Sequence, residues 1–309
     1  MTIDSDLHIV YPDLNQEDHE LEIAPPHEVW QDIQANYDTI CTILNSAHGR
    51  DLGEFSDLIP ESKGSYSNIV RLVEITPTPE QRSILGTKLN IGLKMFVVEA
   101  SNHKFLAIYK PLSGEYPGRK TEYQIPPQRG LYLHEYAASI IDHYGGFGIV
   151  PPTVIKQIDQ EIGSLQLFVP STFATTAKNR HDINHSSNNW RLIAVFDQLI
   201  RNADRHSDNY LVGVTDPSLI IAIDHGLSFC LTNSKDPGDA FKSIQGQTEA
   251  NIITPSSSDP VWVCLNQLIQ NKVTILRALP PEISGLMEIS YYNIFENAQK
   301  MLDCGLITS

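Results

Sequence analysis

Cysteine is scarce in this chain. Four residues, Cys41, Cys230, Cys264 and Cys304, are scattered over 309 positions with no CxxC or CxxH spacing. That pattern excludes a disulfide framework and offers no zinc ribbon, so the thiols read as reduced groups in a cytoplasmic protein. Long apolar runs are missing as well. Nothing approaches the roughly 18 consecutive apolar residues of a membrane-spanning helix, and the acidic first stretch does not read as a signal peptide. Basic charge is also in short supply, with 22 Lys and Arg against 37 Asp and Glu for a net charge of −15. A surface of that sign repels phosphate-rich partners and argues against nucleic acid or an anionic membrane as a constitutive partner. The 41% hydrophobic and 19% charged content that remains is that of an ordinary globular protein.

The most informative stretch is Arg201-Asn202-Ala203-Asp204-Arg205-His206-Ser207-Asp208-Asn209, followed by Ile223-Asp224-His225-Gly226. Before it, Trp190, Ile193, Phe196 and Ile200 recur at the spacing of one buried helical face. After it, Tyr210–Val212 and Leu219–Ile223 are apolar runs separated by turn residues, the pattern of a hairpin. Helix, polar loop and hairpin bring Asp204, Asn209 and Asp224 to one end of the hairpin. Oxygen donors grouped in this way suit Mg²⁺ and phosphate: Asn209 and Asp224 on the metal, Asp204 as the carboxylate that orients a hydroxyl and takes its proton.

The interval from Asp204 to Asn209 equals that of the protein-kinase catalytic loop, with Asp-Arg-His in place of His-Arg-Asp. This order resembles the phosphatidylinositol 3- and 4-kinase catalytic domains, and also the N-x-D-x-H-x-x-N loop of HipA-type bacterial serine kinases. Five stretches together resemble a small bacterial group related to the phosphoinositide kinases: residues 108–111 (IYKP), 150–154 (VPPTV), 166–169 (QLFV), 196–206 (FDQLIRNADRH) and 223–226 (IDHG). Their order along the chain is the kinase order, and the resemblance spans about residues 60–255.

That resemblance implies an α+β fold of two lobes, kinase-like, with a β-rich nucleotide-binding lobe at residues 61–169, a mainly helical lobe at 170–309, and an acidic extension with one helix at 1–60. It implies Lys110 on the α/β-phosphates of ATP, held by a carboxylate from the next helix. Glu135 is the expected partner, with Glu122 and Asp142 as rivals. Ser67 and Asn68 fall where the related group has its phosphate loop, although a plain surface turn has the same composition. Gln166, Leu167, Phe168 and Val169 fall at the hinge that would pair with adenine. His206 matches a histidine thought to assist at the γ-phosphate in phosphoinositide kinases; a loop-fixing role reads equally well from sequence. His225 stands where protein kinases carry the phenylalanine of DFG.

Elsewhere the pattern predicts a helix over residues 28–46 packed on the first lobe and a turn-rich insertion over 76–90. A hairpin spans 95–109, and a loop spans 113–127. A helix over 131–144 is stopped by Gly145-Gly146, strands follow at 150–155 and 164–169, and helices run from 259 to 306 with a break at Leu279-Pro280-Pro281. Arg201 and Arg205 are expected to fix the loop, and Asp197 to lie on the helix surface or behind the site. His181 and His185 have a helical metal-ligand spacing without a third ligand, which does not make a zinc site. Residues 229–253 should flank the acceptor cleft; two lysines among several acids suit an inositol phosphate headgroup poorly. The expected activity is ATP- and Mg²⁺-dependent transfer to a hydroxyl, on protein Ser or Thr in preference to phosphoinositide. A nucleotide-binding pseudokinase and a nucleotidyl or small-molecule phosphotransferase are the alternatives from other classes.

Overall fold

The computed structural model describes residues 26–54, 68–88, 97–99, 104–171, 173–177, 188–230, 251–289 and 293–307. The chain enters through two helices, α1 (Pro26–Ala35) and α2 (Tyr37–Ser46), where the apolar spacing predicts one. They part at Asn36, whose side-chain amide turns back onto the Asp32 carbonyl at 2.8 Å and carboxylate at 3.1 Å. Asparagine competes in this way with the helical backbone. Their shared stripe of Val29, Trp30, Ile33, Ile40, Ile43 and Leu44 is buried in one core with the sheet that follows. The Lys156 ammonium caps the end of α2, donating to the carbonyls of Leu44 at 2.7 Å and Ala47 at 2.6 Å.

That sheet contains β1 (His48–Glu54), β2 (Arg71–Thr76), β3 (Val97–Glu99) and β4 (Lys104–Pro111). Between β2 and β3 lies α3 (Pro79–Lys88), and after β4 come a short 3₁₀ turn and α4 (Pro117–Glu122). The long α5 (Leu131–Gly145) precedes β5 (Thr153–Ile158) and β6 (Glu161–Leu167), which complete the sheet. It has six antiparallel strands in the order β1-β2-β4-β6-β5, with β3 also paired to β4. The sheet therefore begins at residue 48, ahead of residue 61 where the sequence places the start of the lobe. Two further expectations fail. Residues 76–90 hold α3 and not only turns: Thr78 and Gln81 form a reciprocal cap, with Thr78 N–H on Gln81 Oε1 at 2.7 Å and Gln81 N–H on Thr78 Oγ1 at 3.3 Å. Residues 113–127 hold α4, started by Pro117 at its first position.

A second sheet of three strands is built from β7 (Ala174–Thr176), β8 (Tyr210–Gly213) and β9 (Ile220–Ala222). Its strands flank α6 (Asn188–Ile200) in the chain, β7 before it and β8 and β9 after it, and the chain closes with α7 (Pro260–Gln270), α8 (Lys272–Ala278), α9 (Pro281–Ser284) and α10 (Ile294–Cys304). Asp259 caps α7 by accepting the Val261 N–H at 3.0 Å, and Asn293 caps α10 by accepting from Phe295 and Glu296 at 3.2 Å each. Nearly every apolar side chain of α6 is buried, in a core shared with one face of α5, with α7 and with α10. Helix α6 is thus a central rod of the second lobe, and the loop leaving its C-terminus is anchored on rigid structure.

Candidate active site

Lys110 is the penultimate residue of β4. Period-2 alternation sends Tyr109 into the core of the first lobe, so Lys110 points to the other face of the sheet. There its ammonium bonds Glu135 Oε1 and, at 2.7 Å, Asp224 Oδ1. Glu135, in the second turn of α5, is buried, and its other oxygen accepts the His225 N–H at 2.9 Å. One carboxylate thus ties β4, α5 and the turn after β9 together. The rivals are placed elsewhere: Asp142 accepts the Ile149 N–H at 2.9 Å, and Glu122 lies exposed on α4.

Burial opposes the Lys110 charge, but Asp224 and Glu135 outweigh it and hold the ammonium's pKa above its ordinary value. Burial alone would raise the Asp224 carboxyl; the Lys110 ammonium reverses this and holds it well below the usual carboxylate range. Glu135 is displaced upward, by burial first and by the nearby Asp224 charge against the pull of Lys110. Two carboxylates share one cation, and the outer one takes the negative charge most firmly.

Asp224 sits at φ 57°, a left-handed conformation that non-glycine residues adopt at some cost. Arg201 and Phe229 do the same at φ 53° and 54°, so three such residues bracket the loop and the turn. What over-determines this backbone is Arg205. It is buried, and its guanidinium meets the Asp197 carboxylate twice, Nε to Oδ2 at 2.8 Å and Nη2 to Oδ1 at 3.0 Å. Its other donor bonds the carbonyls of Asn209 and, at 2.7 Å, Ile223. Asp197 is therefore buried behind the site and not on the helix surface. Arg205 Nη2 also lies 2.9 Å from His225 Nε2, which must accept, so the imidazole is neutral. Burial and then Arg205 push its pKa well below the ordinary histidine value.

Asp204 has both backbone groups fixed, its N–H on Asn202 Oδ1 at 3.1 Å and its carbonyl on Asn209 Nδ2 at 2.7 Å. With the Asn209 amide nitrogen engaged in this way, its Oδ1 is the atom that would serve a cation. An amide oxygen here and a carboxylate at Asp224 are hard donors of the kind Mg²⁺ takes, so the residues fit that ion. Among the described residues no group of three or more His, Cys, Asp or Glu is placed to hold a metal by itself. His206 is half exposed; its Nδ1 accepts the Asp208 N–H at 3.2 Å while Nε2 stands 4.0 Å from Asp204 Oδ2. The Asp208 contact is of the loop-fixing kind considered for it from sequence.

At the proposed hinge, the Leu167 N–H is taken by the Pro152 carbonyl at 2.9 Å and the Phe168 N–H by Leu106 at 3.0 Å. Gln166 turns its amide to Thr153 Oγ1 at 2.9 Å. The N–H of Val169 is the hinge donor left without a partner among the described residues. Asn68 is half-buried and its Oδ1 accepts the Tyr116 N–H at 2.8 Å, a tether to α4; Ser67 lies outside the described residues, as do His181 and His185. Sequence reasoning missed His134, whose Nδ1 meets the Gly226 carbonyl at 2.9 Å and whose pKa burial pushes down to about 3. It lies beside Glu135 on α5, and no spacing rule singles it out. Arg119 was missed too; it reaches Asp204 from α4.

No family model matches the chain. It is 30% identical over 165 residues to phosphatidylinositol 4-kinase gamma 4 of Oryza sativa subsp. japonica, covering 44% of this chain and 28% of that protein. To phosphatidylinositol 4-kinase gamma 4 of Arabidopsis thaliana it is 29% identical over 189 residues, covering 50% of this chain and 32% of that one. The matched chain thus spans about a third of the length of these relatives. Among solved structures, the golgi casein kinase superposes with a TM-score of 0.50 at 15% identity, over 94% of this chain and 82% of that one. The fold is a two-lobed, kinase-like α+β fold. No helix among the described residues is long and apolar enough to cross a membrane.

Proposed function

We propose that this chain is a phosphotransferase that moves the γ-phosphoryl group of ATP to a hydroxyl acceptor with the help of Mg²⁺. The observation that carries the reading is Lys110 held between Glu135 and Asp224, with the turn at Asp224 clamped to the Asp204–Asn209 loop by Arg205. A lone lysine–glutamate pair would be structural. A cation, a metal-type carboxylate and a base-type carboxylate grouped at the ends of β4 and β9 match what phosphoryl transfer asks of a protein, which is positioning and charge neutralisation.

In this reading Lys110 grips the α/β-phosphates, Glu135 aims it, and Val169 with the apolar hinge positions the base. Asn209 and Asp224 would hold Mg²⁺, which when bound neutralises phosphate charge. Asp204 orients the acceptor hydroxyl and takes its proton. Residues 229–253 carry Lys235 and Lys242 beside Asp236, Asp239 and Glu249, without the clustered basic charge an inositol phosphate headgroup asks for, and this favours a protein hydroxyl as acceptor. A second reading, phosphatidylinositol as acceptor, is favoured by the 30% identity to the rice protein of that name.

The test is turnover of γ-labelled ATP with Mg²⁺, wild type beside Asp224→Asn, offered either a protein acceptor or vesicles containing phosphatidylinositol. Wild-type transfer lost in the variant supports the reading, and the labelled product identifies the acceptor. Intact-mass gain of about 80 Da on the protein would mark phosphoryl and not nucleotidyl transfer. Full activity in Asp224→Asn with unchanged melting would overturn the assignment.

A further inference from the structure

Asp204 is held firmly through its backbone, and among the described residues the cations nearest its carboxylate, Arg119 and His206, both approach the same oxygen. Arg119 Nη1 lies 3.6 Å from Oδ2, and His206 Nε2 lies 4.0 Å from Oδ2. No described residue bonds Oδ1. A carboxylate drawn by nearby cations at one oxygen presents the other with its lone pairs available, the posture a base needs to receive a hydroxyl proton.

Arg119 reaches this position from α4, which the first lobe sends across to the second. The segment is anchored at several points. Ile69 N–H bonds the Gly114 carbonyl at 2.9 Å, and Asn68 Oδ1 accepts the Tyr116 N–H at 2.8 Å. Glu115 pairs with Lys120 at 2.6 Å and accepts the Tyr132 N–H of α5 at 3.1 Å. Beyond α4, Tyr123 and Ile125 pack with Leu131, Leu227, Cys230 and Ala203, so the segment is seated on the residues flanking both Asp204 and Asp224. This is more anchoring than a salt bridge between two surface side chains normally receives.

We infer that Arg119 is a positioning residue of the transfer reaction, fixing one oxygen of Asp204 so that the other faces the acceptor hydroxyl. The inference rests on the reading of Asp204 as the base. It predicts a defect in kcat and not in ATP binding, because Arg119 touches the base and not the lysine–glutamate pair. It also predicts that charge at this place matters more than shape. Arg119→Lys, which keeps the cation but not the fork, should recover part of what Arg119→Met loses.

The experiment uses the full chain with γ-labelled ATP and Mg²⁺, dephosphorylated casein as a generic protein acceptor, and water as the acceptor in its absence. A fluorescent ATP analogue reports binding. Arg119→Met should lower kcat on the order of tenfold to a hundredfold while the ATP KM stays within about twofold, with Arg119→Lys between it and wild type. Glu122→Gln, exposed on the same helix, should behave as wild type. Unchanged or raised kcat in Arg119→Met overturns the inference, a rise marking a latch on the base. A loss confined to the ATP KM, or equal in the Lys and Met variants, overturns it as well. Because Arg119 is about one-third exposed (31%), both variants should fold, and matching melting curves check this. Wild type without Asp224-dependent turnover overturns the kinase reading itself; turnover that survives Asp204→Asn overturns only the role of Asp204 and this inference with it.

Discussion

Arg205 and Asp197 form a two-point ion pair in the interior, 2.8 Å and 3.0 Å between guanidinium and carboxylate, and it is the hub of the loop that carries Asp204 and Asn209. Asp197→Ala leaves that guanidinium buried and uncompensated. It should cost about 3–5 kcal/mol of stability, the usual penalty for breaking a buried pair. Urea unfolding of the two proteins measures it, and a shift below about 1 kcal/mol would mean the loop is organised by its backbone contacts instead.

Glu135→Gln removes the charge that aims Lys110 but keeps a side-chain oxygen for the His225 N–H. We expect kcat/KM for ATP to fall on the order of tenfold to a hundredfold with little loss of stability. Steady-state kinetics with a thermal melt decide this. A collapse of the melt with intact specific activity would make Glu135 a structural residue only.

Asp142 gives the pH dependence a definite sign. It is buried near the end of α5, with Oδ1 on the Ile149 N–H and Oδ2 without a partner among the described residues. Burial pushes its carboxyl up to about 7. The unfolded chain releases this proton near the ordinary carboxylate value, so the folded chain binds it more tightly. The group's stabilisation is full below about pH 4 and is lost as pH rises through about 7, a few kcal/mol in all. Asp142→Asn keeps an acceptor that does not titrate and should remove this slope. The neutral histidines His134 and His225 act in the opposite sense as pH falls, and they cancel in the difference between the two proteins. Denaturant midpoints at several pH values between 4 and 8 test it; parallel curves would refute it.

Trp30→Ala should loosen the N-terminal helices from the body. The indole is buried and donates to the Gly148 carbonyl at 2.6 Å, linking α1 to the turn that follows α5. Loss of a buried aromatic costs about 3–5 kcal/mol. Hydrogen exchange should show faster opening of residues 26–46 than of α6. Uniform exchange across both would indicate that the helices and the lobe unfold as one unit.

What the sequence determined by itself was the set of elements with strong periodicity and the order of the motifs. The face of α6, the hairpin of β8 and β9, the stop of α5 at Gly145-Gly146 and the break before Pro281 all follow from local rules. The grouping of Asp204, Asn209 and Asp224 was legible because a loop and a hairpin of fixed length force their spacing, whereas Lys110 came only from the resemblance to the kinase motifs. Tertiary structure decided what local rules do not encode. It chose Glu135 over Glu122 and Asp142, since which of three carboxylates meets Lys110 depends on how α5 crosses β4. It spent the Leu167 and Phe168 N–H groups inside the protein, because neighbouring strands claim them. It divided residues 26–46 at Asn36, where a side chain bonds the preceding turn. It buried Asp197 and brought Arg119 to Asp204, contacts between residues many positions apart. Periodicity reports which side of an element is buried; only packing reports what it is buried against.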